Sequence, residues 1–205
     1  KLLDTKIKNM LSLKDSLAVL KKTNALLEGH FILSSGLHSP KYVQCAKLLS
    51  YPHLSKNFSY SLSKKIKNKI KKIDLIISPA MGGIVIGYEL GRLLKKETIF
   101  CERVKGKFKL RRGFFIKKNS RVLIVEDVIT TGKSSLECAK LISKSKAKLV
   151  GFACLIDRTN VKSLKIKKHK IISQVKLEVP TYSKNNLPKF LKKIPVRKPG
   201  SRYLK

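Results

Sequence analysis

The chain has 205 residues, with 47 Lys and Arg against 12 Asp and Glu for a formal net charge of +35, and 42% of it is hydrophobic. That length holds one ordinary domain, and that apolar fraction builds a core, which excludes a disordered or low-complexity polymer. No apolar run approaches the ~20 residues that cross a bilayer, and no short apolar leader with a small-residue cleavage site is seen, so neither a membrane span nor a secretory signal is expected.

The first residue is Lys1, so a few residues are expected to precede it. Positive charge attracts polyphosphate, yet lysines recur in nearly every segment, with only mild clusters at 64–72 and 162–170. Trp is absent and the clusters lack interleaved aromatics, unlike a single-strand stacking platform. The charge reads as a solvated surface that welcomes a small anionic substrate, without a nucleic-acid partner. Cys45, Cys101, Cys138 and Cys154 form no CxxC pair and no zinc-ligand spacing with His30, His38, His53 or His169. Cys101 and Cys154 lie in apolar runs and read as buried small hydrophobes, in keeping with a reducing cytoplasm.

In chain order, Ser12 to Leu27 reads as a helix with a Ser12/Asp15 capping box and a stripe of Leu13, Leu17 and Leu20. Two short strands, His30–Leu33 and Lys41–Ala46, follow, joined by the polar turn of residues 34–40. A helix covers His53–Lys69. Asp74–Ser78 is a strand, after which Pro79-Ala80-Met81-Gly82-Gly83 turns into a helix reaching Leu94. Further strands are Thr98–Cys101, Arg121–Val125 and Leu149–Ile156, with a helix over Gly132–Ser143. Glu102–Gly113, basic and with two glycines, reads as a mobile loop. Past Arg158 the chain is very basic, with a strand near Ile171 and a short helix around Leu187–Leu191. Apolar strands alternating with helices predict an α/β fold with a central, mostly parallel sheet covered by helices on both faces. We take residues 1–205 as one domain: helix and hood in 1–50, core in 51–160 and a basic C-terminal extension of the core in 161–205.

Acids are scarce, so their placement is informative. Glu126 and Asp127 adjoin at the end of an apolar strand, and Asp157 ends another. Directly after the pair, Thr130-Thr131-Gly132-Lys133-Ser134 opens a helix. Hydroxyls, free amides and the positive end of a helix dipole suit a phosphate monoester. Carboxylates there would repel that phosphate but accept hydrogen bonds from sugar hydroxyls nearby. Together they describe a ribose 5-phosphate site. A P-loop is ruled out, because its first Gly would fall on Asp127. Gly82-Gly83 lets the backbone approach a second anion closely, whereas Gly87 and Gly91 read as helix-packing positions.

VLIVEDVITTGKSS (122–135) resembles the phosphoribosyl-pyrophosphate (PRPP) signature of type I phosphoribosyltransferases. Three further segments resemble the orotate phosphoribosyltransferase family: GHFILSSGLHSPKY (29–42), its base-covering hairpin; CERVKGKFKLRRGF (101–114), its basic catalytic loop; and LIDRTN (155–160). The resemblance spans about residues 10–165. It implies that PRPP is held by Glu126, Asp127, Val128, Ile129, Thr130, Thr131, Gly132, Lys133 and Ser134, by Arg103, Lys107 and Lys109 of the basic loop, and by Gly82 and Gly83 at the pyrophosphate. It implies catalytic roles for Arg103, Lys107, Lys109 and Asp127, and orotate recognition by Arg158 and Thr130. Mg²⁺ is implied as cofactor, bound mainly through PRPP rather than by protein side chains. A homodimer sharing the loop across subunits is also implied. The chain departs from the family pattern at Ser34, where many members carry Lys, at Val104, where Lys often follows the loop arginine, and at Lys109, where others have His. A purine-using relative and a PRPP-sensing regulator that binds nucleic acid are the alternatives. The hairpin and Asp157-Arg158 argue against the first, and the retained basic loop against the second.

Overall fold

A computed structural model of the chain describes residues 10–33, 35–159 and 171–199. Helix α1 (Leu13–Lys22) starts as its capping residues dictate: Asp15 N donates to Ser12 Oγ at 3.1 Å, and Ser12 Oγ donates to the Asp15 carboxylate at 2.6 Å. It stops short of the expected Leu27, because Leu26 and Leu27 pair across a hairpin instead. Strand β1 (Leu26–Ile32) lies antiparallel to β2 (His38–Val43), with Leu26 opposite Val43. The buried stripe of α1 is Ser16, Val19 and Leu20; Leu17 packs partly on the core, but Leu13 is exposed. The strand expected to reach Ala46 ends earlier, since Cys45 already begins α2 (Cys45–Leu49). Helix α3 (Pro52–Lys69) follows, with Pro at its first turn, where a missing N–H costs nothing.

The main sheet has six strands: β3 (Leu75–Pro79), β4 (Glu97–Val104), β5 (Lys107–Lys109), β6 (Arg121–Ile129), β7 (Lys148–Asp157) and β8 (Ile171–Lys176). Their order is β5-β4-β3-β6-β7-β8, and every neighbouring pair is parallel except β4 with β5. Helix α4 (Gly82–Leu94) joins β3 to β4, and α5 (Lys133–Lys144) joins β6 to β7. Strand alternation sorts the side chains into two cores. Leu123 and Val125 join Phe58, Leu62, Ile86 and Leu90 beneath α3 and α4. Val122 and Ile124 join Cys138 and Ile142 beneath α5. Lys65 caps the β8 edge by donating to the carbonyls of Ser173 (3.2 Å) and Gln174 (2.9 Å).

The segment expected as a mobile loop opens instead as a hairpin. Strand β4 runs on to Val104, Lys105 and Gly106 both take positive φ (49° and 77°), and β5 returns with Phe108 opposite Arg103. Two central residues with positive φ match the twist of a two-residue hairpin turn.

After β8 come a 3-10 turn (Lys184–Asn186), α6 (Lys189–Lys192) and β9 (Val196–Arg197). Strand β9 pairs parallel with β1, and His38 and Tyr182 exchange backbone hydrogen bonds of 2.8 and 2.9 Å. Residues 182–197 therefore complete the hood. The Ser34 position, Asn160 and the 162–170 lysine cluster lie outside the described residues.

Candidate active site

The crevice follows from connectivity. From β3 the chain crosses to β4 on one side; from β6 it crosses to β7 on the other. Between the carboxyl ends of β3 and β6 the connections diverge, which is where open α/β sheets bind ligands. Both α4 and α5 begin there, on opposite faces, with their first amides lacking a preceding helical carbonyl. The Ala80–Met81 peptide before α4 is cis. A Cβ on Gly82 would lie 2.7 Å from Asp127 Oδ2, and one on Gly83 would lie 2.9 Å from the Val125 carbonyl oxygen, so only glycine fits this approach. Gly87 and Gly91 do pack tightly as expected, against Ser78 and Thr98.

The strand expected to end at Val125 keeps its pairing with β7 through Ile129, opposite Asp157. Glu126 and Asp127 are therefore strand residues and point to opposite faces. Glu126 turns toward α5 and accepts a hydrogen bond from Ser135 Oγ; burial pushes its carboxyl pKa up to about 7, opposed by that bond. Asp127 turns toward Gly82 at the start of α4. Burial raises its pKa too, while Val128 N donates to Oδ1 at 2.9 Å. Each acid of the pair thus meets the beginning of a different helix, rather than both lining one wall. Gly132, buried, with a φ of 73°, is the N-cap of α5. Thr130, Thr131 and Lys133 are exposed and Ser134 half-buried, so the hydroxyl loop faces outward. Ile129 is buried and Val128 packs on the first core, so these two offer backbone, not side chains.

On the hood side, Arg158 N donates to the Ile129 carbonyl at 2.8 Å. Its guanidinium lies near Tyr42 of β2 and Cys45, and burial lowers its pKa. Arg158 Nε is buried with no hydrogen-bond partner among the described residues, which marks a place for an acceptor supplied from outside them. Asp157 is buried, with Oδ1 accepting from Thr159 N at 2.8 Å, so it shapes the turn that carries Arg158.

Arg103 lies over Phe108 at 4.1 Å, donates to the Gly106 carbonyl at 2.7 Å and pairs with Glu137 of α5 at 2.7 Å. Its charge reaches Glu126. Lys107 and Lys109 flank Phe108 in β5 and project from the other side of the hairpin. The structure thus brings Arg103 within electrostatic reach of Glu126, though not of Asp127, and leaves both lysines on the other side of the hairpin. Sequence reasoning missed Ser135 and Glu137. The scarcity of acids was a signal for Glu137, whereas Ser135 lies just past the hydroxyl run. Among the described residues no three His, Cys, Asp or Glu side chains gather as a metal cage.

A phosphoribosyl transferase domain model matches residues 59–184. Over 185 residues the chain is 47% identical to the orotate phosphoribosyltransferase of Parvibaculum lavamentivorans, covering 90% of this chain and 94% of that one. Among solved structures, orotate phosphoribosyltransferase from Aeropyrum pernix aligns with a TM-score of 0.65 at 24% identity, covering 78% of this chain and 92% of that chain. Adenine phosphoribosyltransferase from Thermoanaerobacter pseudethanolicus aligns at 0.57 and 21% identity, covering 67% and 88%. These two establish the fold. Domain match and architecture together place the chain in the phosphoribosyltransferase family. Within it, the identity to the Parvibaculum relative makes it a member of the orotate phosphoribosyltransferases.

Proposed function

We propose that the chain transfers ribose 5-phosphate from PRPP to N1 of orotate at this crevice, giving orotidine 5-monophosphate and pyrophosphate. The observation that carries the reading is the pair Glu126 and Asp127, each seated at the start of a different helix around the switch point. The 5-phosphate sits on Thr130–Ser134, where outward hydroxyls and the first amides of α5 converge. The two carboxylates accept hydrogen bonds from the ribose hydroxyls and favour the cationic sugar that forms as pyrophosphate leaves. The amides at Gly82-Gly83 and the Arg103 guanidinium take up charge on the departing pyrophosphate. Arg158 pairs with the carboxylate of orotate, satisfying its bare Nε, with Thr130 at the edge of the base.

Mg²⁺ fits as an ion carried by substrate oxygens and water, the donors it prefers, since no protein cage is available among the described residues. When bound, it neutralises charge on the pyrophosphate. Lys107 and Lys109 serve a neighbouring subunit's crevice in a homodimer, a reading supported by their projecting away from their own. No helix among the described residues is long and apolar enough to cross a membrane, and four free buried cysteines suit a cytoplasmic setting.

The test mixes protein, PRPP, Mg²⁺ and one base at a time, reading pyrophosphate release. Release with orotate and none with adenine, hypoxanthine or xanthine is expected. Release with a purine alone overturns base assignment, and salt-dependent RNA or DNA binding without turnover favours a regulator.

A further inference from the structure

The sugar-side acid Glu126 is mostly buried, and its surroundings do little to hold its charge. Around it stand Asp127 on the same strand, Arg103 on β4, Cys138 on α5 and Cys154 on β7. The hydrogen bond with Cys101 and then burial raise the Cys138 thiol well above its usual range, and burial does the same for Cys154, so both stay neutral, while Asp127 disfavours a second negative charge. Arg103 opposes that effect, but it is divided between Glu137, the Gly106 carbonyl and the Phe108 ring. Among the described residues one direct donor remains: the hydroxyl of Ser135, itself fully buried in the first turn of α5, which bonds Glu126 Oε1.

We propose that Ser135 is a positioning residue for catalysis, its hydroxyl fixing the direction of the Glu126 carboxylate and keeping it ionised to receive the ribose hydroxyls. This rests on the role given to Glu126 above. Geometry supports it in two ways. Residue 126 is a strand residue whose face is set by pairing with Cys154, so the carboxylate reaches only the α5 side. Residue 135 cannot serve solvent, being closed off entirely, so its donor has no competing partner in water. Threonine preserves the hydroxyl at that position; alanine removes it and leaves a buried carboxylate short of one donor.

The experiment measures kcat/KM for PRPP against pH in the unmodified protein, Ser135→Ala, Ser135→Thr and Glu126→Gln. In Ser135→Ala the acidic limb is expected to move up by about one pH unit, a loss of roughly fivefold near neutrality that shrinks to about twofold or less near pH 9. Ser135→Thr restores the original limb, and Glu126→Gln removes activity. A uniform loss across pH in Ser135→Ala, or an unmoved limb, overturns the proposal while an inactive Glu126→Gln leaves the role of Glu126 standing. A Glu126→Gln variant with normal turnover overturns both.

Discussion

Gly82 and Asp127 lie in direct apposition: a methyl group on the glycine would sit 2.7 Å from Asp127 Oδ2. The start of α4 and the acid of β6 are thus fitted to one another across the crevice. Gly82→Ala must turn the carboxylate aside by a torsion change or a shift of the helix start. Misplacement on the scale of 1 Å costs about a hundredfold, so kcat/KM for PRPP should fall at least tenfold. Asp127→Asn should likewise cut turnover far more than stability. Steady-state kinetics alongside thermal melts checks both.

Burial of Glu126 costs the fold stability at neutral pH. Its folded pKa, raised to about 7 by burial, exceeds the unfolded carboxyl value, so the folded state binds the extra proton between them. Stability from this group is therefore full below the unfolded pKa and is lost as pH rises through about 7. Glu126→Gln keeps the acceptor for Ser135 and removes the charge. It should stabilise the fold at neutral pH by about 1–3 kcal/mol, several degrees in melting temperature, while abolishing turnover. A calorimetric melt at two pH values reads the effect, which should vanish near pH 4.

Arg158, with its buried Nε open to an outside acceptor, is the proposed reader of the base. Replacing it with Ala should raise the KM for orotate by about 10–100-fold, the worth of a charged pair, and leave the KM for PRPP within about threefold. Equal effects on both substrates would remove base recognition from its role.

The hood carries its own acid-sensitive contact. His30 Nδ1 faces the Ile194 carbonyl oxygen at 3.1 Å, so we assign the proton there, leaving Nε2 to accept from His38 Nδ1 at 2.6 Å. The His38 pKa is lowered by burial first, then by His30 and Lys184. The unfolded chain therefore binds more protons in that window, and stability falls as pH drops below about 6.5. Melting temperatures from pH 7.5 to 5.5 should decline in the unmodified protein and less steeply in His38→Gln.

Much of this was legible because strong local rules coincide with the fold. Ser12 with Asp15 started α1, and Gly82 and Gly132 marked the starts of α4 and α5. The failures came where long-range pairing overrides local pattern. Leu26 and Leu27 fit a helical stripe, yet the hood hairpin claims them. The apolar run predicts a strand that stops at Val125, just before Glu126 and Asp127, yet β7 continues to pair with β6 as far as Ile129. That extension separates the two carboxylates onto opposite faces, which adjacency in sequence hides. Ser135 and Glu137 gain meaning only when α5 folds back beside β6 and β4.

The central claim is best met by a crystal structure of the protein with PRPP and Mg²⁺. The 5-phosphate is expected on residues 130–134, the ribose hydroxyls on Glu126 and Asp127, and the pyrophosphate at Gly82-Gly83. A 5-phosphate seated anywhere else, with both carboxylates still directed at Ser135 and Gly82, would contradict it.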